Sequence, residues 1–215
     1  VRINTEIEIW DQNKKRLFEQ PKIEYSIRSL NSLFKSISFC KKKYPNLEIK
    51  TVLVDDKSSE TNLNRIRDLI KNQDVEIVQL NHEKFKSTIK AQNNEETFSN
   101  LASLKQSFEI GKDQSNDLIF FLEDDYLHFE SMIEEMIASY ERIASQVKKD
   151  IFMCPSDYPY FYMNNEMTNI LIGNKRHWRT INKTLCTFLT SKKLLNKYWR
   201  QFDKTCEDRH DPFEK

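Results

Sequence analysis

The chain has 215 residues and a net charge of +1, with 34 lysines and arginines against 33 aspartates and glutamates. This balance creates no strong field for an anionic partner, so we expect no nucleic-acid binding. Only two glycines are present, Gly111 and Gly173, which excludes a Walker-type phosphate loop and a GxGxxG turn. A bound nucleotide would therefore be held by side chains, a metal ion and ordinary loops.

The four cysteines are widely separated and form no CxxC pair, which argues against a zinc ribbon or a redox dithiol. Such scattered cysteines are typical of reduced thiols, so we expect the chain to be in the cytoplasm. A position at the inner face of a membrane is compatible with this expectation. No run approaches the roughly 18 apolar residues of a membrane span, and no signal-peptide layout is visible. The length suits a single domain over residues 1–215. Because the sequence ends abruptly at Lys215, we expect that a C-terminal segment of this domain is missing.

Hydrophobic periodicity predicts strands and helices in alternation. Polar and apolar residues alternate over 1–10 as in a strand, and Pro21 opens a helix that Pro45 ends. Residues 82–99 are polar and predict a long loop, while Gly111 predicts the end of a helix. The other predicted strands are 51–54, 75–80, 118–122, 151–154 and 184–190, and the other predicted helices are 61–70, 98–110, 132–144 and 191–198. This order predicts an α/β fold whose mostly parallel sheet carries helices on both faces.

Three consecutive carboxylates, Glu123, Asp124 and Asp125, follow the strongest predicted strand. In an extended chain, Glu123 and Asp125 point to the same side. Two hard oxygen donors on one side suit Mg²⁺ or Mn²⁺, whose coordination substrate phosphates often complete. The alternative is a solvated strand end that caps the next helix.

A second acidic cluster has the same position after the strand at 51–54. It comprises Asp55, Asp56 and, after Lys57, Ser58. Ligands of open parallel sheets bind outside the carboxyl ends of the strands, where such an aspartate can accept a hydrogen bond from a base or a ribose. Ordinary turn chemistry, in which Asp and Ser bind their own backbone, explains the same residues.

Four segments, taken together and in order, resemble glycosyltransferase family 2. Residues 52–58 (VLVDDKS) are similar to its strand and VDDxS element. Residues 120–126 (FFLEDDY) are similar to its DXD-type motif, with Glu123 in place of the first aspartate. Residues 186–195 (CTFLTSKKLL) resemble a later strand followed by a helix, and residues 202–208 (FDKTCED) resemble the FDE…ED element. The match covers about residues 50 to 211, and it implies a GT-A-type, Rossmann-like catalytic domain.

The resemblance implies a role for each matching residue. It places the nucleobase on Asp56, the ribose or sugar near Asp124, and a divalent metal, Mn²⁺ or Mg²⁺, on Asp125. In inverting members the general base is the acidic residue that matches Asp208, with Glu207 as the competing choice. The candidate nucleotide-sugar site also includes Asp55 and Ser58, and the alternation of the extended chain adds Glu123 to the candidate metal site.

These assignments imply an enzyme that transfers a hexose-like sugar to a hydroxyl of a glycan or polysaccharide. The donor is a nucleotide-diphosphate sugar, with UDP favoured over GDP or dTDP. A carboxylate base would activate the acceptor, and the metal would stabilise the diphosphate leaving group. The family's usual Thr-Tyr-Asn-like turn after the first strand is not evident here, which weakens the resemblance at the wall of the base site.

A basic segment with one aromatic residue, 175–179, follows Gly173. Arg176 and Arg179 are candidate ligands of the diphosphate, and Trp178 is a candidate to stack on the sugar. Within the same segment His177 is an alternative metal ligand, and an exposed basic loop explains the whole pattern equally well. The aromatic stretch 157–163 fits an acceptor site, a core segment or a dimer contact.

Three rival functions use the same features. A nucleotidyltransferase also needs acidic metal ligands, but it usually has a Gly- and Arg/Lys-rich phosphate loop near its start. A receiver domain is far shorter. A non-catalytic module that binds a nucleotide sugar or a partner would keep the fold without a working base.

Overall fold

A computed structural model describes residues 1–6, 19–90, 94–157, 162–163, 165, 167–182 and 186–208. The helices are α1 (Lys22–Lys43), α2 (Glu60–Ile70), α3 (His82–Phe85), α4 (Glu95–Gln114), α5 (Met132–Val147), α6 (Lys192–Lys197) and α7 (Trp199–Thr205). The strands are β1 (Arg2–Ile3), β2 (Thr51–Asp55), β3 (Val75–Gln79), β4 (Leu118–Phe121), β5 (Ile170–Ile172), β6 (His177–Arg179) and β7 (Phe188–Ser191). The chain is therefore α/β, as predicted.

The strands form a short parallel sheet that continues into an antiparallel pair. β1, β2 and β3 are parallel and lie in that order. The end of β4 joins β1 through a parallel bridge between Arg2 and Glu123, and the Arg2 amide donates to the Leu122 carbonyl at 2.9 Å. β7 pairs antiparallel with β4, and Met153 adds a bridge on its far side. The carboxyl ends of β1 to β4 consequently share one edge of the sheet.

Helices cover both faces of β2, because its side chains alternate between two separate cores. Leu53 is fully buried in a core that α1, α2 and α5 supply, while Val54 is buried against Phe98 and Leu101 of α4. This agrees with the prediction of a strand covered on both sides. The register places Ile3 beside Asp55, so β1 and β2 end at the same level.

Helix α1 begins directly after Pro21, as predicted, and ends in a basic last turn, where cations suit the helix dipole. Its apolar stripe is buried along its length, and includes Leu30, Phe34 and Ile37. With 22 residues, it separates Lys22 from Lys43 by about 30 Å. The length of α1 therefore indicates how far apart the residues at its two ends lie.

The helices at 82–114 differ from the prediction of a long loop followed by a helix that ends at Gly111. Asn81 and Asn94 cap the helices, since their side chains accept from the backbone N–H groups three residues on. Helix α4 passes through Gly111 and ends at Gln114. A Cβ atom at Gly111 would lie 2.9 Å from Cζ of Phe121, so the glycine permits close packing of α4 on β4. The predicted helix stop is wrong for that reason.

The last part of the fold agrees with the prediction only in part. The predicted strand 151–154 is reduced to the bridge at Met153, because Pro155 cannot donate to a ladder. Ser191 caps α6 as predicted, its Oγ accepting from the Leu194 amide at 3.1 Å. Residues 170–179 form the β5–β6 hairpin. This differs from the interpretation of residues 175–179 as an exposed basic loop. Predicted strand residues 7–10 and 184–185 lie outside the described residues.

None of the described helices combines the length and the apolar composition needed to cross a bilayer.

Candidate functional site

The predicted acidic clusters meet at the carboxyl edge, the name used here for the polar residues that follow β1 to β4. It comprises Asn4, Thr5, Asp55, Asp56, Ser58, His82, Glu123, Asp124 and Asp125. β1 lies between β2 and β4, so the two clusters are two strand spacings apart, about 10 Å. That separation suits a ligand that reaches across β1.

Asp56 is held by two neighbours from adjacent strand ends. Its Oδ1 lies 2.8 Å from Nε2 of His82, and its Oδ2 accepts from Nδ2 of Asn4 at 3.4 Å. The His82 ring packs on Phe98, with 5.9 Å between ring centroids. The carboxylate therefore has a defined orientation at the edge, as recognition of a base requires.

Asp55 is the most unusual group of the cluster. It is 1% exposed, and neither carboxylate oxygen has a hydrogen-bond partner in the described protein. A buried carboxylate without a partner is costly, so it is a strong acceptor for any N–H or O–H that reaches it. Ser58 has a different role, because its Oγ accepts from the Thr5 amide at 3.1 Å and so joins the ends of β1 and β2.

Asp124 and Glu123 are each paired with a cation. Asp124 is buried, and it accepts from Nζ of Lys22 at 2.7 Å and from Oγ of Ser26 at 2.5 Å. Glu123 accepts from Nη2 of Arg2 at 2.7 Å. Two of the three adjacent carboxylates are thus neutralised by residues of β1 and α1.

Asp125, in contrast, makes no ion pair with any described residue. Its side chain reaches solvent, yet the surrounding protein desolvates it and raises its pKa. Lys22 opposes this rise, while Glu123 and Asp124 reinforce it by repulsion. A carboxylate in this situation gains from an added cation.

The donor set fits a metal ion that arrives with a diphosphate. Among the described residues no three His, Cys, Asp or Glu side chains are grouped to hold a metal by themselves. Mg²⁺ commonly takes one or two carboxylates and completes its coordination with substrate phosphates and water. Asp125 is the carboxylate of the edge available for this, and Glu123 would first have to leave Arg2.

The predicted base residues, Glu207 and Asp208, come directly after Cys206, the C-cap of α7. Cys206 is fully buried, and burial raises the pKa of its thiol to about 12 against the opposing charges of Lys105 and Arg2. Cys206 belongs to the core cluster that contains Phe121 of β4, so the end of α7 packs against the strand that precedes the acidic cluster. Glu207 is half-buried and pairs weakly with Lys90 at 3.7 Å, and Asp208 is exposed.

The basic segment is bound by two buried carboxylates of α5. Glu134 pairs with Lys43 and, at 2.6 Å, with Lys175. Lys43 stands at the opposite end of α1 from Lys22, the partner of Asp124, so these contacts hold the hairpin tip against the far part of α1. None of the contacts described for Lys175 joins the tip to the carboxyl edge.

The three candidates within this segment each have partners outside the carboxyl edge. The amide of Arg176 donates to Glu135, and its guanidinium lies 5.1 Å from the ring centroid of Phe129. Nε1 of Trp178 donates to Oγ of Ser139 at 3.1 Å. Arg179 pairs with Asp157 at 2.8 Å. These contacts give no support to a diphosphate site on the hairpin, which stays a prediction. Residues 158–161 of the aromatic stretch lie outside the described residues.

Sequence reasoning missed the cations and the histidine of the site. Lys22 carries a signal, since a lysine in the first turn of a helix opposes the helix dipole and needs another reason to be there. His82 comes three residues after the end of β3, close to the position that the two acidic clusters occupy after their own strands. Arg2 carries no local signal, because its partner Glu123 is 121 residues away.

Comparisons with protein-family models, with curated proteins and with solved structures find no match to this chain.

Proposed function

We propose that this chain is a metal-dependent glycosyltransferase domain of the GT-A type. The observation that carries the proposal is the division of charge at the carboxyl edge. Arg2 neutralises Glu123 and Lys22 neutralises Asp124, while Asp125 beside them is exposed and makes no ion pair with a described residue. One carboxylate without a cation next to two paired ones could hold a divalent ion, which would stabilise the diphosphate of a nucleotide sugar.

The donor would lie across the ends of β2, β1 and β4. Asp56, oriented by His82, is 6% exposed at its side chain and offers its carboxylate to a nucleobase. Asp55 offers a buried acceptor that has no hydrogen-bond partner among the described residues. Asp124 borders the ribose or the sugar. When bound, the Mn²⁺ or Mg²⁺ would stabilise the charge that the diphosphate gains as it leaves.

The transfer step needs a carboxylate that takes the acceptor proton. Asp208, which is exposed, is the proposed base, with Glu207 as the alternative. The acceptor oxygen attacks the anomeric carbon, its proton goes to the carboxylate, and the bond from the anomeric carbon to the phosphate oxygen breaks. The products are the glycosylated acceptor, with inverted configuration, and a nucleoside diphosphate.

A thermal-shift panel tests the donor site. UDP, GDP, CDP and dTDP are added with and without Mn²⁺ or Mg²⁺ to the wild-type chain. Ligand at 100 times its Kd adds about 2.7 kcal/mol of stability, which raises Tm by several degrees. We expect a metal-dependent rise in Tm with one nucleotide, UDP before the others, and we expect Asp125→Asn to lose this rise.

The matched control is Asp68→Asn, at an exposed aspartate on α2, which should keep the rise in Tm. Equal stabilisation of Asp125→Asn would remove Asp125 from the metal site, and no rise in the wild type would count against the donor site itself.

Replacement of the base separates binding from transfer. Asp208→Asn is expected to keep the nucleotide-dependent rise in Tm but to slow release of nucleoside diphosphate from a sugar-nucleotide panel by about 10²- to 10⁴-fold. Glu207→Gln is the neighbouring control and should retain turnover. The reverse result would make Glu207 the base. Donor binding with no turnover in the wild type would favour a non-catalytic module.

A further inference from the structure

The described surface contains a polar cleft that the proposed reaction does not use. It lies between α3, α4 and α7 and has a volume of about 440 Å³, within the usual range of small-ligand sites. Its lining includes Lys84, Lys105, Glu109, Lys112, Trp199 and Asp203. A second cleft, of about 230 Å³, lies between α1 and α2 and has no tryptophan.

The charges of the first cleft are balanced in pairs. Lys84 pairs with Glu109 at 2.6 Å, and Lys105 pairs with Asp203 at 2.8 Å. The lining holds three lysines and, with Asp113, three carboxylates. A lining of zero net charge gives no advantage to a phosphate or to a polyamine. It instead offers donors and acceptors side by side, which a neutral polyhydroxyl compound can use together.

Trp199 gives the cleft an aromatic wall. The ring is half-buried, and Nζ of Lys112 lies over it, 4.1 Å from its centroid, so a sugar that stacks on this face takes the place of the ammonium group. An aromatic ring provides an apolar face beside polar groups, and the C–H faces of a sugar ring pack on such a surface. A tryptophan next to paired lysines and carboxylates thus matches both the apolar and the polar parts of a carbohydrate.

The cleft lies close to the carboxyl edge. Asn100 of α4 accepts from the Arg2 guanidinium at 2.6 Å, and Lys105 follows about 8 Å farther along the same helix. On the other wall, Asp203 precedes the proposed base Asp208 by five residues. A chain of sugars that occupies the cleft can extend from there toward the reacting end.

We propose that the cleft between α3, α4 and α7 binds a neutral oligosaccharide, as a subsite for the part of a glycan acceptor remote from the transferred sugar. The link to an acceptor rests on the proposed function, whereas binding of the oligosaccharide does not. The cleft therefore selects uncharged glycans and discriminates against anionic ones.

Isothermal titration with malto-, cello- and chitohexaose, and with an oligogalacturonate as the anionic comparison, tests the proposal. We expect saturable binding of a neutral hexasaccharide and at least tenfold weaker binding in Lys84→Ala and in Glu109→Ala. Their side chains are 54% and 22% exposed, so both variants should fold. Trp199→Ala should abolish binding, but its ring also packs on the core. Lys42→Ala, in the second cleft, is the matched control and should bind normally.

The outcomes separate this proposal from the donor site. Binding of the hexasaccharide should persist in Asp125→Asn, even if no nucleotide stabilises the chain. The proposal is overturned if no neutral hexasaccharide binds saturably, if the oligogalacturonate binds more tightly, or if Lys84→Ala and Glu109→Ala both leave the affinity unchanged.

Discussion

Replacing Glu135 by alanine is expected to lower the free energy of unfolding by about 3 kcal/mol, because it removes the acceptor that holds the β5–β6 hairpin on α5. Glu135 is 4% exposed and accepts from the Lys175 amide at 2.8 Å, the Arg176 amide at 3.2 Å and Oγ of Ser139 at 2.8 Å. Alanine would leave these donors without their charged partner. It would also open a cavity beside the Trp178 indole.

Urea unfolding followed by tryptophan fluorescence and circular dichroism measures this effect. Glu141→Ala, an exposed glutamate on the same helix, is the control and should change the stability by less than about 0.5 kcal/mol. Glu135→Gln keeps the volume and one acceptor oxygen, so it should fall between the two. A Glu135→Ala stability equal to that of Glu141→Ala would show that the hairpin is held by other contacts.

The close fit at Gly173 explains why the hairpin and α5 act together. A Cβ atom there would lie 2.4 Å from the Trp178 ring and 2.5 Å from Oγ of Ser139. The sequence shows Gly173 and Asn174 as a turn signal, and Ile170 and Ile172 alternate as in a strand. The hairpin could therefore be predicted from these neighbouring residues. Its attachment to Glu134 and Glu135 could not, since these residues read as the first turn of an ordinary amphipathic helix.

The elements that the sequence predicted correctly are those whose sequence signals lie within a few residues of the element itself. The apolar runs of β2 and β4, the proline before α1 and the serine before α6 all act within a few residues, and the structure agrees with them. Gly111 misled the prediction because its small size serves a contact with Phe121, which lies on a strand that follows. A glycine that permits packing and a glycine that ends a helix look the same in the sequence.

The acidic side of the candidate site could also be predicted, since parallel strands bring their carboxyl ends to one edge. The cations could not, because each reaches its carboxylate across more than 100 residues of chain: Arg2 and Glu123 are 121 apart, and Lys22 and Asp124 are 102 apart. These pairs decide which carboxylate stays open. The sequence alone assigned Glu123 and Asp125 to a metal together, whereas in the structure Glu123 is paired with Arg2 and Asp125 makes no ion pair with a described residue.

Replacing Arg2 by methionine is expected to destabilise the fold by about 3 kcal/mol, because it breaks an ion pair whose arginine is largely removed from water. The Arg2 side chain is 11% exposed and donates both to Glu123 at 2.7 Å and to Oδ1 of Asn100 at 2.6 Å. Methionine fills much of the same space but leaves Glu123 without its cation next to Asp124 and Asp125. The loss of stability should therefore come mainly from the Glu123 carboxylate, which is left without its cation.

A double-mutant cycle tests this origin directly. Adding Glu123→Gln to Arg2→Met removes the stranded charge, so the double variant should recover about 2 kcal/mol in urea unfolding. Arg65→Met is the matched control, since Arg65 pairs with Glu24 at the same 2.7 Å but with 43% of its side chain exposed. That variant should lose less than about 1 kcal/mol. If Arg2→Met and Arg65→Met cost the same, or if Glu123→Gln restores nothing, then Arg2 does not neutralise Glu123, and the proposal that Asp125 is the one carboxylate of residues 123–125 left without a cation loses its basis.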